Sequence, residues 1–196
     1  MHKKLISFIQ GHGTTPLSEQ EIAVIIEIFT LRKFRKGQLL LREGEVCKAL
    51  GFIVKGAVRQ FAVDDKGTEN IIGLQIENWF TGDRDSYFRE QPSIYNIQAW
   101  ENCEILFVHK DDLNRLNTIT AFTEMRTKLD ENNSIASQKR LLSHISHSAD
   151  KRYEDFLQNQ PQLAQRFPLH VIASFLGITK ETLSRIRRQK TGAKRR

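Results

Sequence analysis

Cysteine is almost missing from this 196-residue chain, with Cys47 and Cys103 standing alone and far apart. Their isolation excludes a C-x-x-C redox pair, a zinc-finger pattern and an iron–sulfur ligand array. Both read as small buried hydrophobes. Long apolar runs are missing too, since a membrane-spanning helix needs about 20 such residues. The apolar run 22–29 carries Glu27. Residues 5–9 are too short for a signal-peptide core, and no small-residue cleavage site follows them. These absences predict a cytoplasmic protein with no membrane partner. There is no G-x-G-x-x-G, no P-loop and no Ser/His/Asp arrangement. No catalytic residue and no cofactor are therefore expected. A metal-dependent enzyme on a strand-rich domain is the rival reading, but of the six histidines only His109 lies among strands. His144 and His147 stand three apart on one helix, a spacing that can hold a metal but reads here as a solvated or partner-facing pair. No metal ligand is assigned.

Hydrophobic residues make up 39% of the chain and charged residues 27%, ordinary values for a protein with a packed core. The length suits two small domains. Charge is unevenly placed. Residues 180–196 hold Lys180, Arg185, Arg187, Arg188, Lys190, Lys194, Arg195 and Arg196 against the single acid Glu181, which accounts for the whole net charge of +7. A neutral body with a basic terminus points to a polyanionic partner at that end.

Residues 17–30 place Leu17, Ile22, Ile25, Ile26 and Phe29 at helical spacing behind the N-cap candidate Ser18. From about Leu31 the period changes to short runs at 39–41, 50–54, 57–63, 69–76, 93–100 and 103–109, separated by turn signals. Strands at this spacing predict an antiparallel barrel or roll. After Lys110 no glycine occurs until Gly177, and helical periodicity returns. Phe122, Met125, Leu129, Asn132 and Ala136 share one face of a long helix. A second copy of that helix is the simplest partner for the stripe, with packing on its own barrel as the alternative. The expected division is residues 1–115 for the strand-rich domain, 116–147 for the helix and a hinge, and 148–196 for a helical C-terminal domain.

Residues 168–188 carry the functional signal. A helix with Ile172, Ala173 and Leu176 inward ends at Gly177, suited to a left-handed position. Thr179 then caps a second helix whose first turn holds Glu181. At about 100° per residue, Lys180, Glu181, Ser184, Arg185 and Arg188 share one side, with Leu183 and Ile186 opposite. This is a helix-turn-helix layout with a face able to read base edges. Thr179 and Lys190 join the expected DNA contacts. The bland alternative, a solvated charged helix, leaves the coincidence of turn, small residue and basic cluster unexplained.

The segment I-A-x-x-L-G-x-T-x-E-T-x-S-R, running from Ile172 to Arg185, resembles the helix-turn-helix of the CRP/FNR family. Arg140-Leu141-Leu142 and residues 148–153 resemble its joining stretch, and the strands of 37–109 its cyclic-nucleotide-type β-roll. The resemblance implies an α+β fold: a β-roll sensor, a dimerisation helix and a DNA-reading domain. It implies duplex DNA, a second copy of the chain, RNA polymerase and a small-molecule effector as partners. Glu181, Ser184 and Arg185 match the family's base-contacting positions. The cyclic-phosphate cassette departs from the pattern. Thr81-Gly82 stands near the expected Gly-Glu, and Ser93 near the expected Arg-Ser, so the arginine is missing. Thr81, Gly82, Arg84, Arg89, Ser93 and Tyr95 mark the candidate effector pocket, without tight cyclic-AMP binding. The cysteines of an FNR-type cluster are absent, and the β-hairpin wing beyond the recognition helix is largely missing. A purely structural, ligand-independent β-roll is the remaining alternative.

Overall fold

The computed structural model describes residues 1–193. The chain opens with helices α1 (His2–His12) and α2 (Glu19–Ile28). Ser18 caps α2 in a reciprocal capping box with Glu21, as its position before the apolar period predicts. Eight strands follow: β1 (Thr30–Phe34), β2 (Leu39–Leu41), β3 (Ala49–Lys55), β4 (Val58–Val63), β5 (Glu69–Gln75), β6 (Phe80–Thr81), β7 (Asn96–Ala99) and β8 (Cys103–His109). A short helix, α3 (Arg84–Arg89), interrupts them after β6. The strands form two antiparallel sheets, ordered β1-β8-β3-β6 and β2-β7-β4-β5.

The apolar runs of β3 and β8 are continuous because both faces of their sheet are covered. Ile53, Ile105 and Phe107 point between the sheets, where they meet Leu41, Val58 and Ile97. Phe52, Val54, Leu106 and Val108 point the other way, onto Leu5 and Ile9 of α1, Ile25 of α2, and a later helix. That helix is α5 (Thr120–Ser146), reached through α4 (Leu113–Asn117).

The first half of α5 corrects one sequence expectation. Phe122 and Met125 are buried within the protomer's own core, and Leu129 packs at its edge. The reason is α1, which the sequence reading did not foresee and which supplies the apolar surface that the stripe needs. Glu124 reinforces the seating. Its carboxylate accepts from Thr15 N–H (3.1 Å), Thr15 O–H (2.8 Å) and Thr14 N–H (2.7 Å), which lowers its pKa to about 2. Asn132 and Ala136 are exposed. So is a different apolar set in the second half of α5: Ile135, Leu141, Leu142 and Ile145, the last 75% exposed.

Four helices complete the chain: α6 (Ala149–Asn159), α7 (Pro161–Arg166), α8 (Leu169–Phe175) and α9 (Lys180–Ala193). They form a core of their own from Tyr153, Phe156, Leu163, Val171, Ile172, Leu183 and Ile186. This core is continuous with Ala57, Phe61, Ile71 and Leu74 on the outer face of the second sheet. No helix among the described residues is long and apolar enough to cross a membrane.

Candidate nucleic-acid interface

Helix α8 ends in a Schellman motif. Gly177 takes φ +64, its N–H donates to Ser174 C=O (3.0 Å), and Ile178 N–H donates to Ala173 C=O (3.0 Å). The chain reverses within three residues and starts α9. Thr179 caps it, with its Oγ1 accepting from Thr182 N–H at 3.2 Å. Pro168 is the N-cap residue of α8, and Pro161 opens α7.

Two side chains fix the roll of α9 about its axis. Leu183 and Ile186 are fully buried among Tyr153, Phe156 and the small Ala173. Burying each contributes about 1.5–3 kcal/mol, so a rotation that exposes them is costly. The opposite side carries Lys180, Glu181, Arg185 and Arg188, all exposed, with Ser184 half-buried at their border. The structure therefore brings together the five side chains that the wheel grouped. Lys190 lies on α9, but its side chain and residues 194–196 are outside the described residues.

The domain bearing α9 is docked on the β-roll through β5, the edge strand of its sheet. A bulge opposite Gln60 and Phe61 sets Ile72 out of register. Its freed carbonyl accepts from the Arg140 guanidinium of α5 at 2.8 Å. The same guanidinium lies 5.4 Å from the Phe175 ring centroid, and desolvation lowers its pKa. One residue away, Ile71 N–H donates to Ser174 Oγ (3.0 Å), and that hydroxyl donates to Glu69 C=O (3.3 Å). Polar groups that an edge strand would leave open are thus satisfied by α5 and α8. Arg166 of α7 clamps two loops of the roll, donating to Glu77 (3.0 and 3.2 Å) and Glu101 (2.8 and 2.6 Å). Burial alone would raise the Glu77 carboxyl, but the Arg166 bonds and the backbone N–H donors, Gly56 among them, together outweigh it and lower its pKa. Arg166 itself is raised by its bonds to Glu101 and Glu77. Sequence reading missed this clamp, because nothing local marks an Arg and two Glu that far apart as partners.

The expected effector residues divide. Thr81 and Gly82 line a cavity between the sheets. Gly82 has φ +146, and a Cβ there would meet Leu50 Cδ2 at 2.5 Å. Arg84 instead pairs with Asp130 of α5, and Arg89 with Asp85 at 2.8 Å, so neither stands in for the missing cassette arginine. Ser93 donates its hydroxyl to Asp83 at 2.7 Å and accepts from Tyr95 N–H at 3.0 Å. Asp83, which the sequence reading passed over, is buried at the start of α3 and also accepts from Asp85 N–H (3.0 Å) and Ser86 N–H (3.2 Å). The amide donors that would cradle a phosphate there are already occupied by the chain's own carboxylate.

Cys47 and Cys103 are buried and unbridged, and desolvation raises both thiols. His147 contacts Asp155 (3.2 Å) and Ser143 (3.3 Å), while His144 lies against Gly177. No group of three or more metal-ligating side chains converges among the described residues.

A family model for the cyclic nucleotide-binding domain matches residues 31–118. The fumarate and nitrate reduction regulatory protein of Escherichia coli is 28% identical, over 90% of this chain and 76% of its own length. Electron transport regulator A of Shewanella oneidensis is 26% identical over the same shares. The solved structure of FixK2 from Bradyrhizobium japonicum superposes with a TM-score of 0.71 at 19% identity, covering 85% of this chain and 86% of that one. That likeness establishes the shared fold.

Proposed function

Because this chain belongs to the CRP/FNR family of transcription regulators, we propose that it reads duplex DNA in a sequence-specific way through α9, as a homodimer on a palindromic operator. The observation that carries this reading is the division of α9. Leu183 and Ile186 anchor it, and Lys180, Glu181, Ser184, Arg185 and Arg188 face outward. Arg185 is the guanine reader, bidentate to O6 and N7, and Glu181 accepts from a cytosine amino group. Lys180, Ser184, Thr179 and Arg188 support backbone and neighbouring base contacts. Lys190 adds a phosphate contact.

In this proposal residues 1–115 are the sensor, 116–147 the dimer helix and hinge, and 148–196 the reader. Dimerisation presents two α9 helices about 34 Å apart to successive major grooves. RNA polymerase is a further partner of such a regulator, and the cytoplasm its compartment. The internal Asp83 carboxylate argues against cyclic AMP as the effector, since a cyclic phosphate would compete with a buried anion already hydrogen-bonded there. Selection of bound duplexes from a random pool tests the reading directly. The expected product is a two-fold symmetric site, and Arg185→Ala should lose about 1–3 kcal/mol per half-site and relax one base pair. A protein indifferent to duplex sequence at low salt would end the proposal.

A further inference from the structure

Ser174 is the second-last residue of α8, and it is bonded on two sides. Its C=O accepts from Gly177 N–H in the turn (3.0 Å), while its hydroxyl accepts from Ile71 N–H (3.0 Å) and donates to Glu69 C=O (3.3 Å). One residue therefore ties the reversal of the helix-turn-helix to the edge of β5. A second tie comes from α5. Arg140 donates to Ile72 C=O at 2.8 Å and lies 5.4 Å from the ring centroid of Phe175, the neighbour of Ser174. One turn further on, His144 lies against Gly177 itself, and the His144 C=O accepts from Arg152 of α6 at 3.3 Å. His147 contacts Asp155 of α6 at 3.2 Å, so the two residues between α5 and α6 are bridged as well. At about 100° per residue, Arg140 and His144 share one side of α5, whereas the exposed Ile135, Leu142 and Ile145 lie opposite. This half of α5 thus holds its own helix-turn-helix on one face and presents the proposed dimer seam on the other.

We propose that Ser174 and Arg140 are positioning residues that set the separation and angle of the two α9 helices in the dimer, and with them the half-site spacing that the protein accepts. The inference rests on the DNA reading and the homodimer proposed above. A swing of the C-terminal helices about residues 147–148 would break the bonds at Ile71 and Ile72 and open the cluster that holds both Ile71 and Ile172. Leaving those backbone groups unpaired and that apolar surface wet is costly. Helix α9 therefore turns with α5 rather than independently of it. One inserted base pair rotates a half-site by about 34–36° and moves it by about 3.4 Å, a displacement that a helix held in this way cannot follow.

The test compares binding of the full chain to duplexes that carry the pool-selected half-sites at the selected spacing and at one base pair more or fewer. The wild type should bind the altered spacings about 100-fold more weakly, because only one half-site is then engaged. Ser174→Ala with Arg140→Met should narrow that difference to about tenfold or less, as the second α9 gains freedom to follow. Arg140→Lys, which keeps a donor for the Ile72 carbonyl, should retain the strict spacing where Arg140→Met alone relaxes it. An unchanged ratio between spacings in the double variant, including a uniform loss of affinity at all of them, overturns the proposal. Should the double variant fail to fold by far-ultraviolet dichroism, the two Arg140 variants carry the comparison. Amide exchange in the free protein gives a readout without DNA. Ile71 N–H should exchange about tenfold faster or more in Ser174→Ala than in the wild type, and equal exchange overturns the proposal. A wild type that binds duplexes but ignores their spacing ends this inference alone, whereas one that binds no duplex ends the DNA reading and this inference with it.

Discussion

Arg166 joins the C-terminal helices to two loops of the β-roll. It is 31% exposed and forks onto Glu77 and Glu101, an arrangement stronger than an isolated surface pair. Arg166→Met should cost about 1–3 kcal/mol, because two carboxylates are then left facing the same gap. Denaturant unfolding followed by tryptophan fluorescence reads this, since Trp100 stacks on Phe167 beside the clamp. The sign of its pH dependence follows from Glu77. Its folded pKa is depressed below the ordinary 4.5, so its contribution is complete above about pH 4.5 and is lost as pH falls through the folded value. The difference between wild type and Arg166→Met should therefore shrink on acidification below pH 4.5, and a difference that grew would contradict the assignment. Gly177 presents a second single-residue constraint. At φ +64 with His144 Cε1 3.1 Å from a would-be Cβ, Gly177→Ala should destabilise by about 1–2 kcal/mol, measured in the same unfolding series.

At the level of elements, α5 behaves as two helices joined end to end. Its first half is core, bound to α1 through Phe122 and Met125. Its second half exposes Ile135, Leu142 and Ile145, the first two spaced one heptad apart. In the proposed homodimer that is the face for a second copy. Leu142→Glu with Ile145→Glu should give a folded monomer by analytical ultracentrifugation, with unchanged far-ultraviolet dichroism, and about 100-fold weaker DNA binding as one half-site is lost. A variant that stays dimeric places the seam elsewhere. Sequence reading identified the long helix and gave its stripe to a second copy, with packing on the same protomer as the alternative; Phe122 and Met125 are buried in the protomer's own core, against an α1 that was unseen. Helix α1 carries no capping signal, and its apolar residues at 5–9 were weighed only as a signal-peptide core. By contrast α2, α8 and α9 announce themselves through Ser18, Gly177 and Thr179. The strands at 39–41 and 103–109 were legible from their bounding turns. The two-residue β6 and the charged β1 were not, since neither shows alternation.

At the scale of the whole molecule, the β-roll and the C-terminal helices share one hydrophobic cluster from Phe61 and Ile71 to Phe156 and Ile172. The helix-turn-helix was legible from the 21 residues 168–188, but its docking was not. Docking depends on a bulge at Ile72 and on a serine, Ser174, that looks unremarkable in sequence. It has a consequence for partial chains. Until α8 arrives, β5 keeps an open row of backbone donors and acceptors flanked by apolar Phe61 and Ile71, a template for strand pairing between molecules. A protein ending at residue 147 should therefore associate with itself through β5. Lysine at Ile71 should suppress that association, and light scattering at rising concentration would register both effects. During synthesis the same edge emerges about 100 residues before its cover, so the ribosome-bound intermediate is the form of this regulator most in need of a chaperone.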